Sequence, residues 1–139
     1  MSRKQLVTLA DIPTLLACYD TYPEPTEYVI HTVGPQGEKP GLLKSCYKRV
    51  LEVARKNDLN SVAFCCISTG IYGYDNKKAA HVALQTVRDW MDTNPTEAEK
   101  MARIIFCTFL EKDRDIYQAL LPVYFPKASN VDIVSAEDS

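Results

Sequence analysis

The apolar positions along the 139-residue chain change period several times, and each change predicts an element. Glu27-Tyr28-Val29-Ile30-His31-Thr32-Val33 is β-branched and aromatic, and Gly34-Pro35 closes it, the pattern of a strand over about 27–33 followed by a turn. From Leu42 onward Leu43, Cys46, Val50 and Val53/Ala54 recur at helical spacing. Pro40 is placed to start this helix and Asn57 is suited to a left-handed stop, which predicts a helix over about 41–56. Ser61 to Ile67 is a continuous apolar run, expected of a strand buried on both faces, and Ser68-Thr69-Gly70 ends it abruptly. Ala79, Val82/Ala83, Thr86/Val87 and Trp90/Met91 then repeat at helical spacing behind Asp75 or Asn76, either of which can cap a helix over about 76–91. Thr93-Asn94-Pro95 breaks it. After a charged linker, Arg103 to Phe109 forms a third apolar strand, and Asp113 is placed to cap a last helix over about 113–121 that Pro122 begins to exit.

Strands alternating with helices imply an α/β fold with parallel pairing and right-handed crossovers. Upstream, Leu9, Ile12, Leu15/Leu16 and Tyr19 are spaced for one helical face. Pro13 suits only a first turn, so this N-terminal helix is expected over about 11–19. The polar tail 127–139 is expected to be disordered. Residues 1–26 then read as a leader with a short helix, and 27–126 as the domain.

Composition narrows the class. The chain is 46% apolar and 24% charged, with 8 Pro and 5 Gly, which is ordinary for a soluble globular domain. Net charge is −2 and Lys and Arg are scattered, so no electrostatic footprint for a nucleic-acid backbone is visible. No apolar run is long enough to cross a bilayer and none follows Met1-Ser2-Arg3-Lys4, which places the expected location in the cytoplasm or nucleus. The cysteines Cys18, Cys46, Cys65, Cys66 and Cys107 are odd in number, hold no C-x-x-C pair and have only two histidines to join them. Neither a disulfide framework nor a metal site is expected, and no cofactor. Cys65, Cys66 and Cys107 read as small apolar filling in buried strands.

Chemistry concentrates at Ser68-Thr69-Gly70-Ile71-Tyr72-Gly73-Tyr74. Open parallel sheets bind ligands beyond the carboxyl ends of their strands, and this loop follows the most apolar strand and precedes a helix. Gly70 and Gly73 permit close backbone approach and positive φ, while Ser68, Thr69 and the amides can donate to an anion. Tyr72 and Tyr74 offer flat faces for a sugar or base. Spacing alone equally allows a plain Ser-Thr-Gly turn whose tyrosines anchor it to the core. No Walker lysine and no G-x-G-x-x-G is present, against a nucleoside triphosphatase or dinucleotide fold.

Four blocks in this order resemble MacroD-type macro domains: Glu27 to Pro35, Leu43-Lys44-Ser45-Cys46-Tyr47, Ile67 to Tyr74, and Phe106-Cys107-Thr108-Phe109-Leu110-Glu111-Lys112-Asp113. The resemblance covers roughly 27–126. It implies that Ser68, Thr69, Gly70, Ile71, Tyr72 and Gly73 bind the pyrophosphate and distal ribose of ADP-ribose, with Tyr72 against that ribose, and that Phe109 and Glu111 flank the adenine. Asp11, whose Asp-Ile resembles the family's adenine motif, is a further adenine-side candidate. The implied partners are ADP-ribose, mono-ADP-ribosylated proteins or O-acetyl-ADP-ribose. Cys65 and Asp75 depart from the family, which favours proline at both places, without removing a donor. As a helix cap, Asp75 would face amides rather than ligand.

The larger departure is that the family's Asn-Ala-Ala-Asn strand end and glycine-rich catalytic loop have no counterpart here. Thr8 to Leu15 resembles the leader that precedes that half in some relatives, as though an internal segment were deleted. The catalytic residues are therefore unknown. The resemblance implies a binding module with hydrolysis lost or impaired. An active hydrolase recruiting Asp11, Asp75 or His31 as base, or a splice or gene-model remnant without a working fold, are the alternatives. His31, within a strand, reads first as a core histidine. A strand is also missing between 27–33 and 61–67, and these two are expected to close up into a three-stranded sheet.

Overall fold

The middle of the sheet, in a computed structural model of the chain, is β1, Val7–Asp11. The structure describes residues 7–11, 30–69, 72–108, 110–126 and 131–134, the first and last of these as backbone. Val7 and Thr8 are β-branched and favour extended backbone, and Pro13 disfavours helical geometry at the residue before it, so a helix cannot extend back through this stretch. Asp11, expected at the start of a helix, therefore ends a strand; the rest of the expected helix, 12–19, lies outside the described residues.

Helix α1 spans Pro40–Lys56, strand β2 Ser61–Phe64, helix α2 Asn76–Thr93, helix α3 Pro95–Lys100, strand β3 Arg103–Thr108, helix α4 Glu111–Tyr124 and strand β4 Val131–Val134. All pairings are parallel and the sheet order is β2-β3-β1-β4, which bears out the α/β class. The three expected helices are present. Pro40 occupies the first turn of α1, where its missing N–H costs nothing. Asn57 follows α1 with φ −99°, and the left-handed stop falls one residue later on Asp58, φ 55°. The charged linker begins with α3, which Pro95 starts in the same way and Lys100 ends. Pro122 lies inside α4 rather than at its exit. Asp113 does not cap α4; it sits in the first turn, buried, and accepts a hydrogen bond from Asn76 Nδ2 at 2.5 Å, tying the starts of α2 and α4 together.

Two expectations about strands fail. Residues 30–33 form no ladder, and 27–29 lie outside the described residues, so among the described residues no strand pairing joins 27–33 to 61–67. Among the described residues β2 pairs with β3 alone, and the remaining places in the sheet are taken by β1 and by β4, which comes from the tail expected to be disordered. Nor is β2 buried on both faces. Ser61, Ala63 and Cys65 are exposed while Val62 and Phe64 are buried, the alternation of a strand with one covered face.

That covered face carries the core. Tyr47 from α1, Phe64, Phe106 and Tyr117 from α4 follow one another with ring centroids 5.1, 5.7 and 5.4 Å apart, within the range of favourable aromatic pairing. Leu43, Leu51, Ala83, Leu84, Val87, Ile104 and Leu121 fill the space around this column and are almost wholly buried. At the far end of the domain Arg55 Nε donates to Glu97 Oε2 at 2.8 Å and its Nη1 to the Leu59 carbonyl at 2.9 Å, holding α3 against the end of α1.

Phe106→Ala empties the middle of the column and is expected to cost about 3–5 kcal/mol, read by urea denaturation. Stability should also be asymmetric in pH. Burial pushes the thiols of Cys66 and Cys107 up to about 12 from an ordinary 9.0, and raises Tyr47 and Tyr117 as well. The unfolded chain loses these protons first, so stability is fully present below about pH 9 and falls as the pH rises toward 12. A melting temperature at pH 10.5 equal to that at pH 8 would contradict this.

Candidate functional site

Parallel strands point their carboxyl ends the same way, so Phe64, Thr108 and Asp11 close their strands toward one edge of the sheet, and the loop that follows β2 lies at that edge. Asp11 stands in register with Thr108. Sequence reading thus places two of its candidates, the Ser68 loop and Asp11, at the same edge, although the orientation of the Asp11 side chain is outside what is described.

The loop is held from below by the aromatic column. The Ile67 N–H donates to the Tyr47 hydroxyl at 3.4 Å. Ser68 follows in the left-handed region at φ 66°, a conformation that costs a side-chain-bearing residue about 1–2 kcal/mol. The Tyr74 N–H returns to the Ser68 carbonyl at 3.1 Å and closes the loop, helped by Gly73 at φ 75°. Gly70 and Ile71 lie outside the described residues.

The two tyrosines divide the readings offered by the sequence. Tyr74 is 4% exposed and belongs to the core, so it anchors the loop; burial, and secondarily Glu38, raises its phenol pKa. Tyr72 is 38% exposed and lies outside the core. Thr69 is half-buried and Gly73 exposed. Asp75 caps α2, its Oδ2 accepting from the Lys78 N–H at 2.9 Å, so its carboxylate faces the helix's own amides as expected.

Ser68 is 8% exposed and Thr108 1%, and the hydroxyl of each has no hydrogen-bond partner among the described residues. They end or follow neighbouring strands. Beyond Thr108, Phe109 lies outside the described residues, while Glu111 is the exposed first residue of α4. His31, read as a core histidine, is exposed and outside any strand, because the segment that carries it has no ladder.

Sequence reading missed the segment on the other side of the loop. The Gly37 N–H donates to the Tyr72 carbonyl at 2.8 Å, and Glu38 accepts from the Asp75 N–H at 3.3 Å and from Lys78 Nζ at 3.1 Å. Gly34 abuts Ser68 and Ile67. The signal was the pair of glycines, Gly34 and Gly37, of which Gly34 was read only as the close of a strand and Gly37 was passed over.

A family model for the macro domain matches residues 16–83. The chain belongs to the macro-domain family and carries part of that domain. ADP-ribose glycohydrolase MACROD1 of Rattus norvegicus is 46% identical to it over 113 residues, which are 77% of this chain and 43% of that protein. ADP-ribose glycohydrolase MACROD2 of Homo sapiens is 43% identical over 128 residues, 85% of this chain and 29% of that protein. The chain thus spans under half the length of these curated relatives. Among solved structures, a Trypanosoma brucei macrodomain in complex with ADP-ribose aligns with a TM-score of 0.66 at 29% identity, covering 84% of this chain and 64% of its own. An Oceanobacillus iheyensis macrodomain with ADP aligns with a TM-score of 0.57 at 26% identity, over 91% and 87%.

The cysteines provide a direct check of the one-sided sheet. Cys65 is exposed, against the expectation of burial, because the face of β2 on which it lies is uncovered; Cys46 and Cys107 are buried and Cys66 half-buried. Of these four, Cys65 is expected to react first with a thiol reagent in the native protein, and Cys107 only on unfolding. Peptide mapping after a brief pulse of iodoacetamide reads the order.

Proposed function

We propose that the chain recognises ADP-ribose or mono-ADP-ribosyl groups through the Ser68–Tyr74 loop, and that hydrolysis is lost or impaired. The observation that carries the reading is the buried Ser68 hydroxyl, unpartnered among the described residues, in left-handed backbone beyond the carboxyl end of β2. Leaving such a group unsatisfied costs about 1–3 kcal/mol, which a phosphate oxygen accepting from it would recover. Relatives solved with ADP and with ADP-ribose support the ligand class.

In this reading the pyrophosphate lies along Ser68, Thr69, Gly70, Ile71 and Gly73, and the exposed ring of Tyr72 packs on the distal ribose. The adenine lies toward Asp11, Phe109 and Glu111. Two of the three candidate bases support the loss of hydrolysis: Asp75 is engaged as a cap, and His31 is exposed on a segment outside the sheet. Partners would be mono-ADP-ribosylated proteins or O-acetyl-ADP-ribose, met in the cytoplasm or nucleus.

Calorimetric titration with ADP-ribose tests the proposal. Saturable heat is expected from the wild type and none from Gly70→Glu, whose carboxylate would stand where the phosphates bind; absence of heat from the folded wild type at millimolar ligand would refute it. For the adenine side, Asp11→Ala is expected to weaken ADP-ribose by roughly tenfold, as loss of a hydrogen bond to a charged group does, while leaving ribose 5-phosphate unaffected. Equal losses for both ligands would remove Asp11 from the adenine site.

A further inference from the structure

The segment 34–38 touches the loop at its beginning, middle and end. At the beginning, a Cβ added to Gly34 would overlap Ser68 Oγ and lie 2.5 Å from Ile67 Cγ2. In the middle, the Gly37 N–H holds the Tyr72 carbonyl at 2.8 Å, from a backbone at φ 77° that only glycine adopts without strain. At the end, one carboxylate oxygen of Glu38 accepts from the Asp75 N–H at 3.3 Å and the other from Lys78 Nζ at 3.1 Å.

The segment is itself fastened on both sides to α1. Cys46 Sγ donates to the Val33 carbonyl at 3.2 Å, Pro35 is buried, and the Lys39 carbonyl accepts the Leu43 N–H at the start of the helix. It is therefore a strap stretched between two points of a rigid element, and what it presses on is the loop.

We propose that the strap Gly34–Glu38 is the positioning element of the phosphate loop, and that the bare Cα of Gly34 is the surface that sets the Ser68 hydroxyl. Ser68 occupies left-handed backbone that an L-residue does not choose unaided, so its conformation is imposed by its surroundings, and Gly34 is the neighbour against which its Oγ rests. The strap need not touch ligand. It acts through Ser68 and Tyr72, and the assignment rests on the ADP-ribose reading only for what the loop holds, not for how the loop is held.

Amide hydrogen exchange of the ligand-free protein tests the positioning, and ADP-ribose calorimetry tests its consequence. Gly34→Ala is expected to raise exchange in the peptide covering 67–75 at least tenfold, with the protection of β3 unchanged, and to weaken ADP-ribose at least tenfold. Ser68→Gly added to Gly34→Ala removes the overlapping Oγ and the left-handed strain while leaving the approach to Ile67 Cγ2, and is expected to return the exchange of 67–75 part of the way to the wild-type level, a rescue that general destabilisation would not give. Unchanged exchange in Gly34→Ala, or no rescue by Ser68→Gly, overturns the proposal. Gly37→Ala, which meets no neighbour within 4 Å but is strained at its φ, covers the case in which Gly34→Ala does not fold: exchange at 72–74 should rise, and unchanged exchange overturns the proposal equally. If the exchange results hold while the wild type binds no ADP-ribose, the ligand reading fails and the strap stands.

Discussion

The hydroxyl of Tyr47 is the point on which the site depends. Its ring begins the aromatic column that continues through Phe64, Phe106 and Tyr117, and its oxygen receives the Ile67 N–H one residue before the loop turns left-handed at Ser68. Each aromatic contact adds about 0.5–1.5 kcal/mol to the burial of the rings, enough to fix α1, β2, β3 and α4 as one body. The loop inherits its place from that body. Because the same α1 also anchors the strap at Val33 and Lys39, the two sides of the loop are referred to a single helix.

Legibility in the sequence followed the strength of local signals. The helices were readable because Leu43, Cys46, Val50 and Ala54, and likewise Ala79, Ala83, Val87 and Trp90, place apolar side chains on one face, and all of them are buried. The strands were readable in kind but not in partnership. Tyr28 to Val33 has the composition of a strand, yet composition cannot say whether a neighbouring edge is available, and residues 30–33 find none. Val7–Asp11, whose apolar spacing continues into a helical pattern, takes the centre of the sheet because β3 and β4 offer it an edge on each side. Cys65 looked buried because an apolar run does not reveal that one face of the sheet is left uncovered.

The candidate site divides the same way. Ser68, Tyr72 and the cap at Asp75 could be named from the motif and its spacing. The separation of Tyr74 from Tyr72, one in the core and one exposed, could not, since both are tyrosines two residues apart in the same loop. The strap was invisible for a further reason: its contacts with the loop cross more than thirty residues of sequence, and two of its three holds are made by backbone or by the absence of a side chain.

A partial macro domain thus carries a braced loop at the edge of a parallel sheet, with a buried hydroxyl that has no partner among the described residues. Amide chemical-shift mapping during a titration with ADP-ribose tests this most directly. The account predicts that the largest saturable shifts fall on the amides of 68–73 and at the ends of β1 and β3, near Asp11 and Thr108, and that α3 is silent. Shifts confined to other surfaces, or none at all in a folded protein, would contradict it.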